Sequence, residues 1–198
     1  MKTSREGNRR KGSARSRSDS GLVLVARAAD FAARAHAAQK RKGVAQEPYV
    51  NHLAEVALLL TEATGGSDPA LIAAAWLHDT LEDTVTEREE LETLFGKEVA
   101  SIVAEVTDDK SLPKSERKRL QIETTPGKSR AARMLKIADK TSNLRALASS
   151  PPMGWDIKRR EEYVTWAEAV VAGCRGLNGD LEAKFNAAAA DARAALTR

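Results

Sequence analysis

Apolar residues recur at helical spacing along most of the chain, and no segment shows the strict alternation typical of a half-buried strand. The first apolar stripe runs from Leu22 to Gln39, and the second runs from Asn51 to Gly65. The same periodicity predicts further helices over residues 68–82, 86–96, 97–106, 114–123, 129–148, 157–172 and 177–196. We therefore predict an all-α fold, a single bundle of about eight to ten helices.

Residues that start or stop helices set several of these bounds. Asp68 and Pro69 suit the N-cap and first position of the third helix, which we expect to continue as far as Glu82. Thr86 and Glu89 have the spacing of a capping box, and Gly96 is expected to end that helix. The run Ser149–Gly154 is a clear break between two long helices.

Length and composition indicate the size of the domain and the cellular compartment. A chain of 198 residues predicts one domain with a sizeable core, and alanine-rich helices must carry it because only 4% of residues are aromatic. The single cysteine, Cys174, excludes an internal disulfide framework and fits a reducing, cytoplasmic location. No apolar run approaches the roughly 20 residues of a membrane span, so no membrane partner is expected.

Positive charge is concentrated at the N-terminus, where seven Lys and Arg residues stand among Ser and Gly. Residues 1–20 cannot build a core, so we predict a disordered basic tail followed by one domain over residues 21–198. The tail could contact nucleic acid or an acidic partner, but a solvated tail is the favoured interpretation. The rest of the chain is near neutral, and no nucleic-acid role is expected for the domain.

The chemistry that stands out is the run Ala75–Thr84, where an apolar segment ends in His78, Asp79, Glu82 and Asp83. Residues four apart lie near one face of a helix, so these side chains should cluster. Such a cluster is costly to bury unless a cation or a ligand compensates its charge. The competing interpretation is a solvated helix end.

Two other segments offer matching ligands. His52 opens one apolar helix and Asp139 lies within another, so His52, His78, Asp79 and Asp139 would supply two imidazoles and two carboxylates. Mixed nitrogen and oxygen ligands suit a divalent ion such as manganese, iron or zinc. Spacing alone does not select these four residues, and Asp139 by itself would more often be a surface aspartate.

The order of these residues resembles that of the HD-domain metal phosphohydrolases. The surrounding sequence motifs are similar to those of the small alarmone hydrolases. These proteins are relatives of the hydrolase domain of the bifunctional RelA/SpoT enzymes and include the animal homologue of SpoT. The motifs that carry the resemblance are Gln39–Lys42, Pro48–His52, Leu77–Thr84, Phe95–Gly96, Glu105–Lys110, Leu112–Lys114, Glu116–Gln121, Ala138–Lys140, Asn143–Arg145 and Gly154–Trp155. The resemblance covers about residues 22–190.

The resemblance implies an HD-type helical domain that hydrolyses the 3′-pyrophosphate of ppGpp or pppGpp to GDP or GTP and pyrophosphate. It implies one Mn²⁺ ion, with Zn²⁺ or Fe²⁺ as alternatives, held by the four ligands named above. Glu82 and Asp83 match the acidic pair beside the metal, and which of them acts as acid or base is left open. The bifunctional relatives carry a further synthetase domain, which we do not expect in this chain.

The resemblance also assigns the substrate contacts. The implied substrate-binding residues are Arg41, Lys42, Asn51, Lys114, Asn143, Arg159 and Tyr163. Taken alone, the run of basic residues 40–42 would more often be a solvated helix end, and Asn51 could equally cap its helix. His36 is expected to pack or cap outside the metal set. A small-molecule guanosine polyphosphate is thus the expected partner, and a homodimer is left open.

Two departures from the family pattern matter. Leu53 follows His52 where relatives usually have proline, and we expect the ligand to survive because leucine is compatible with a helix start. Thr141 and Ser142 replace larger residues, which puts nucleobase preference in doubt. Two alternatives therefore remain: a related phosphohydrolase that releases the 2′-phosphate of NADPH, and a non-enzymatic nucleotide sensor, against which the intact metal set and the acidic pair count.

Overall fold

The computed structural model describes the backbone of residues 13–197 and the side chains of residues 21–197. Across the described residues the chain forms ten α-helices and a 3₁₀ turn over residues 125–127. The helices are α1 (Ser13–Ala35), α2 (Val50–Thr64), α3 (Pro69–Leu77), α4 (Thr80–Asp83), α5 (Arg88–Phe95), α6 (Lys97–Val106), α7 (Lys114–Thr124), α8 (Arg130–Ser149), α9 (Ile157–Ala172) and α10 (Gly179–Ala195). The prediction of an all-α fold with eight to ten helices is confirmed.

The first helix differs from its predicted bounds. It begins at Ser13 instead of Leu22 and ends at Ala35 instead of Gln39. The chain turns after Ala35, where the backbone N–H of Gln39 donates to the carbonyl of His36 at 2.9 Å. Of the predicted disordered tail, residues 1–12 lie outside the described residues.

Helix α8 is the centre of the bundle and packs against α2, α3, α6, α9 and α10. Its buried residues continue past the apolar stripe to include Lys136, Asp139 and Lys140. Helix α3 is apolar on all sides and packs against α1, α2, α6 and α8. Three fully buried alanines, residues 73–75, allow close approach of these neighbours. The polar stretch of α8 is therefore surrounded by packed helices, a position that demands partners for each charge.

The helix predicted to run as far as Glu82 is interrupted. Helix α3 ends at Leu77, and α4 starts afresh at Thr80. Two side chains take the carbonyls at the end of α3: the Thr80 hydroxyl donates to Leu77 O at 2.6 Å, and His78 Nδ1 lies 2.8 Å from Ala75 O. These side-chain contacts replace backbone bonds of a continuing helix. The break places His78 and Asp79 between two helices.

Several other predicted helix ends are observed, and a predicted helix cap is wrong. Helices α6 and α9 have the predicted bounds, and the carboxylate of Asp68 caps α3 by accepting from Leu71 N–H at 3.0 Å. The predicted capping box at Thr86 is wrong, because the N-cap of α5 is Glu87 and the Thr86 N–H donates to the Thr84 hydroxyl. Gly96 does end α5, with a positive φ of 86° that favours glycine. Among residues 13–197, no helix has the length and apolar character needed to cross a membrane.

Two leucines of α2 provide a test of the core. Leu60 is fully buried, whereas Leu58 is 56% exposed. We expect Leu60→Ala to lower the free energy of unfolding by about 2–5 kcal/mol and Leu58→Ala to change it by roughly 0.5 kcal/mol or less. Urea unfolding followed by circular dichroism measures both. Equal losses in the two variants would contradict the packing of α2 against α3 and α8.

Candidate metal centre and substrate cavity

His52 lies in the first turn of α2, and its ring is fixed from α8. The side chain is 3% exposed, and burial lowers the pKa of His52 below its ordinary value. Its Nδ1 lies 2.9 Å from the hydroxyl oxygen of Ser142. The other ring nitrogen, Nε2, consequently faces away from Ser142 and toward the carboxylates described below.

His78 is fixed in the same sense by the backbone. A carbonyl oxygen can only accept, so the 2.8 Å contact with Ala75 O requires the proton to be on Nδ1 of His78. His78 Nε2 is buried and makes no well-aligned hydrogen bond among the described residues, although an Asp79 oxygen lies 3.1 Å away. The rings of His52 and His78 are 5.1 Å apart at their centroids. Two imidazole nitrogens therefore point toward one small volume.

Two carboxylates complete this group. One oxygen of Asp79 lies 3.1 Å from His78 Nε2 and 3.6 Å from His52 Nε2. One oxygen of Asp139 lies 3.3 Å from His52 Nε2 and 3.9 Å from His78 Nε2. Ligand atoms of His52, His78 and Asp139 all lie within 4.8 Å of one another. The structure thus brings together all four residues that the sequence predicted as ligands.

Each carboxylate is oriented by its own donors. The Tyr49 hydroxyl donates to Asp79 at 2.6 Å, and burial together with the Asp79 charge raises the pKa of Tyr49. Lys140 donates to one oxygen of Asp139 at 2.8 Å, and Asn143 donates to the other at 2.6 Å. The ammonium of Lys140 also lies 4.5 Å from the centroid of the Trp166 ring, and this cation–π contact holds the ammonium in place.

The donor set fits a divalent metal ion. Burial disfavours a charged imidazole, but the neighbouring Asp79 carboxylate outweighs burial and raises the pKa of His78 to about 9. The metal-free cluster therefore keeps a proton on His78 at neutral pH to compensate the carboxylates. A divalent ion offers the same compensation and also a partner for the buried Nε2 of His78. Two nitrogen and two oxygen ligands leave coordination positions open.

Glu82 and Asp83 follow on α4, beside the cluster. Glu82 lines a polar cavity of about 170 Å³ that it shares with His78, Asp79 and Asp139. It accepts from the backbone N–H of Asp108 at 3.3 Å and lies 3.4 Å from the guanidinium of Arg117. Burial and then the carboxylate of Asp108 raise the pKa of Glu82. A proton can therefore reside on Glu82 at a higher pH than on an ordinary glutamate.

The carboxylate of Asp83 pairs with Lys110, whereas that of Glu82 pairs with Arg117. The Asp83 carboxylate accepts from Lys110 at 2.5 Å and from Gln39 at 3.4 Å. Asp83 lines both the small cavity and a larger one of about 550 Å³ on its other side. The acidic pair thus lies where the two cavities meet, next to the four candidate ligands.

Most predicted substrate contacts line the larger cavity. The six that do so are Arg41, Lys42, Asn51, Lys114, Asn143 and Tyr163. Arg159 does not line it; its guanidinium stacks on Trp155 at 4.6 Å, and Trp155 is part of the wall. Asn51 is not the N-cap of α2, which is Tyr49, so its alternative role as a cap is excluded. Asn143 has a second contact that was not predicted, the bond to Asp139.

The basic loop that carries Arg41 and Lys42 is anchored across the cavity. Arg41 N–H donates to Glu47 O at 2.8 Å within the loop, and Met153 N–H donates to Lys42 O at 3.2 Å from the α8–α9 connection. A side chain at Gly43 would lie 2.3 Å from Ser150 O, so only glycine permits this approach. The backbone that carries the two cations is consequently held beside the larger cavity by residues near position 150.

Several residues of the site were not singled out by the sequence. Tyr49, Asp108 and Arg117 lie within the motifs shared with the family, but they are too far along the sequence for a spacing rule to predict contact with Asp79 or Glu82. Glu55 and Ser142 meet only because α2 and α8 pack together. His36, the third histidine, is buried outside the cluster and stacks on the ring of Tyr49 at 5.2 Å, as expected of a packing residue.

Comparison with known proteins agrees with this geometry. The pattern of the HD domain family matches residues 28–168. The guanosine-3′,5′-bis(diphosphate) 3′-pyrophosphohydrolase MESH1 of Xenopus tropicalis is 50% identical over 169 residues, covering 85% of this chain and 93% of that protein. The Homo sapiens protein of that name is 51% identical over 155 residues, covering 78% of this chain and 87% of that protein.

A solved structure gives the same result at the level of the fold. It is described as a metazoan orthologue of SpoT that hydrolyses ppGpp and plays a role in starvation responses. The two chains superpose with a TM-score of 0.80 and are 44% identical, over 83% of this chain and 93% of the other. The helical architecture described above is therefore shared with that protein.

The protonation of His78 leads to a pH-dependent metal affinity. Because the pKa of His78 in the metal-free protein is about 9, a divalent ion must displace one proton when it binds at neutral pH. We expect the association constant of Mn²⁺ to rise about tenfold per pH unit from roughly pH 7 to pH 9 and then to level off. Isothermal titration calorimetry in buffers of different ionisation enthalpy measures both the affinity and the released proton.

The control for this experiment is the histidine outside the cluster. His36→Gln should leave the affinity for Mn²⁺ and its pH dependence unchanged, since His36 does not contact the four candidate ligands. An affinity that stays constant between pH 7 and pH 9 in the unmodified protein would contradict the protonated state of His78.

Proposed function

This chain belongs to the HD domain family, and we propose that it hydrolyses the 3′-pyrophosphate of ppGpp and pppGpp to give GDP or GTP and pyrophosphate. Relatives about 50% identical over most of their length are named for that reaction. The observation that carries the proposal is the convergence of two imidazole nitrogens and two carboxylates between a small acidic cavity and a large basic one. This combination suits a metal-assisted attack on a polyphosphate.

The proposed cofactor is one Mn²⁺ ion, held by His52, His78, Asp79 and Asp139. A divalent ion, when bound, attracts phosphate oxygens and lowers the pKa of water from about 15.7 toward 7. The protein would contribute two imidazoles that carry a proton on Nδ1 and two carboxylates that accept hydrogen bonds from Tyr49, Lys140 and Asn143. These hydrogen bonds keep the ligands oriented.

Proton transfer is proposed for Glu82 and Asp83. Glu82 has a raised pKa and lies in the small cavity with the candidate ligands, so it can exchange a proton with water or with the leaving 3′ oxygen. Arg117 and the N–H of Asp108 hold its carboxylate in place. Asp83, paired with Lys110, faces the junction of the two cavities and completes the acidic pair.

Substrate binding is proposed for the larger cavity. Arg41, Lys42 and Lys114 present cations at its wall, which suits a ligand with several phosphates. Arg159 supports that wall through Trp155. Asn51, Asn143 and Tyr163 are the remaining proposed contacts, and they suit the nucleoside because they offer uncharged donors and acceptors. A cytosolic location is proposed, since the single cysteine is buried and unpaired within residues 21–197.

The direct test is turnover by the purified chain. We expect ppGpp incubated with the protein and Mn²⁺ to yield GDP and pyrophosphate, and chelation of the metal to stop the reaction. NADPH is assayed in parallel by release of phosphate, because a related hydrolase with that substrate would share the same metal centre. Metal-dependent turnover of NADPH but not of ppGpp would contradict the proposed substrate. If neither compound is hydrolysed, the proposal that this protein is an enzyme of this kind is contradicted.

The role of Glu82 is separable from that of the metal ligands. Glu82→Gln keeps the size of the side chain but removes the exchangeable proton, so kcat should fall by about 10²–10⁴-fold with Mn²⁺ affinity retained. His52→Ala should lose both activity and Mn²⁺ affinity. Glu90→Gln, on the exposed face of α5, is the matched control and should behave as the unmodified protein. An unchanged kcat in Glu82→Gln would exclude this residue from the chemistry.

A further inference from the structure

A chain of hydrogen bonds links His52 to side chains that neither the family resemblance nor the metal chemistry assigns. Ser142 Oγ lies 2.9 Å from His52 Nδ1 and donates to the carboxylate of Glu55 at 2.6 Å. The other oxygen of Glu55 accepts from Arg145 at 2.9 Å. His52 and Glu55 are three residues apart on α2, and Ser142 and Arg145 are three apart on α8. The network therefore joins one face of α2 to the facing side of α8.

The direction of the hydrogen bonds follows from counting protons. Arg145 can only donate, and an ionised Glu55 can only accept. Burial opposes the charge of Glu55, but the bonds from Ser142 and Arg145 outweigh it and lower the pKa of Glu55. The single hydroxyl proton of Ser142 is used on Glu55, so Ser142 Oγ must accept from His52. The proton of His52 is then on Nδ1, and Nε2 carries a lone pair.

The Nδ1 proton of each imidazole is thus fixed by different means. His78 is fixed by the backbone carbonyl of Ala75, which no substitution removes. His52 is fixed by side chains alone, through a residue that is 1% exposed. Ser142 is also one of the departures from the family pattern, and its hydroxyl is the group that bonds the Glu55 carboxylate. The tautomer of His52 is therefore controlled by side chains that substitution can remove.

We propose that Glu55, Ser142 and Arg145 are positioning residues that hold His52 in the Nδ1-protonated tautomer with Nε2 directed at the metal position. The inference rests on the proposed metal site. Partners of this kind fix the orientation of a ligating histidine, and their removal typically weakens metal binding by about 10–100-fold. In this protein the network also ties α2 to α8 at the point where both supply a ligand.

The test compares metal affinity in three variants of the full chain. Ser142→Ala removes the acceptor of the His52 proton. Glu55→Gln replaces a carboxylate oxygen by an amide donor, which can turn the Ser142 hydroxyl toward Nδ1 and move the imidazole proton to Nε2. We expect both to weaken Mn²⁺ binding by about 10–100-fold in calorimetric titrations. Glu62→Gln is the control, since Glu62 pairs with Lys184 on the outside of α2 and should leave the affinity unchanged.

A spectroscopic measurement separates positioning from a loss of folding. In the metal-free protein at pH 7.5, ¹⁵N NMR of the imidazoles should show His52 with its proton on Nδ1, and Ser142→Ala should shift it toward Nε2. The His78 signals should not change, because its partner is a backbone carbonyl. Variants that bind Mn²⁺ within about twofold of the unmodified protein and keep the proton on Nδ1 would overturn the inference.

The outcomes also distinguish this inference from the proposed function. If the unmodified protein binds Mn²⁺ and the variants bind it weakly, but ppGpp is not hydrolysed, the proposed function fails and the positioning role stands. If the unmodified protein hydrolyses ppGpp and the variants keep its Mn²⁺ affinity, the positioning role fails and the function stands. A protein that binds no divalent ion would overturn both.

Discussion

Four ionisable side chains meet in the interior of this helical bundle, and their mutual compensation is the constraint on which the structure depends. Asp79 and Asp139 place negative charge at a largely buried position, while His52 and His78 direct their Nε2 atoms at the same point. Burying unpaired charge is costly, so the two carboxylates need hydrogen-bond donors. Tyr49, Lys140 and Asn143 supply those donors. The carboxylate oxygens that face the imidazoles each accept one of these bonds and keep a second lone pair for a cation.

The helices are arranged so that this meeting is possible. His52 comes from α2 and Asp139 from α8, while His78 and Asp79 occupy the interruption between α3 and α4. A continuous helix would have carried its side chains along one stripe; the interruption instead turns two adjacent residues into the same volume. The neighbouring acidic pair then divides its contacts, Glu82 toward Arg117 and Asp83 toward Lys110. Each catalytic candidate is thereby supported by α7 or by the loop before it.

Much of this could be predicted from the sequence, because helical periodicity and helix-end residues are local signals. The bounds of α6 and α9 and the cap at Asp68 follow from these signals. The order of the motifs shared with the family identified the four candidate ligands. The interruption at His78 could not be predicted, since no glycine or proline marks it and side-chain bonds to carbonyls accompany the end of α3. The contact of Glu55 with Ser142 joins residues 87 positions apart, and no spacing rule encodes it.

Lys140 lies between the carboxylate of Asp139 and the indole of Trp166. The electric field that the indole experiences depends on how much of the ammonium charge Asp139 offsets. A cation that withdraws electron density from Asp139 leaves more of that positive charge acting on the ring. We therefore expect the emission wavelength of Trp166 to respond to occupancy of a centre that the indole does not touch.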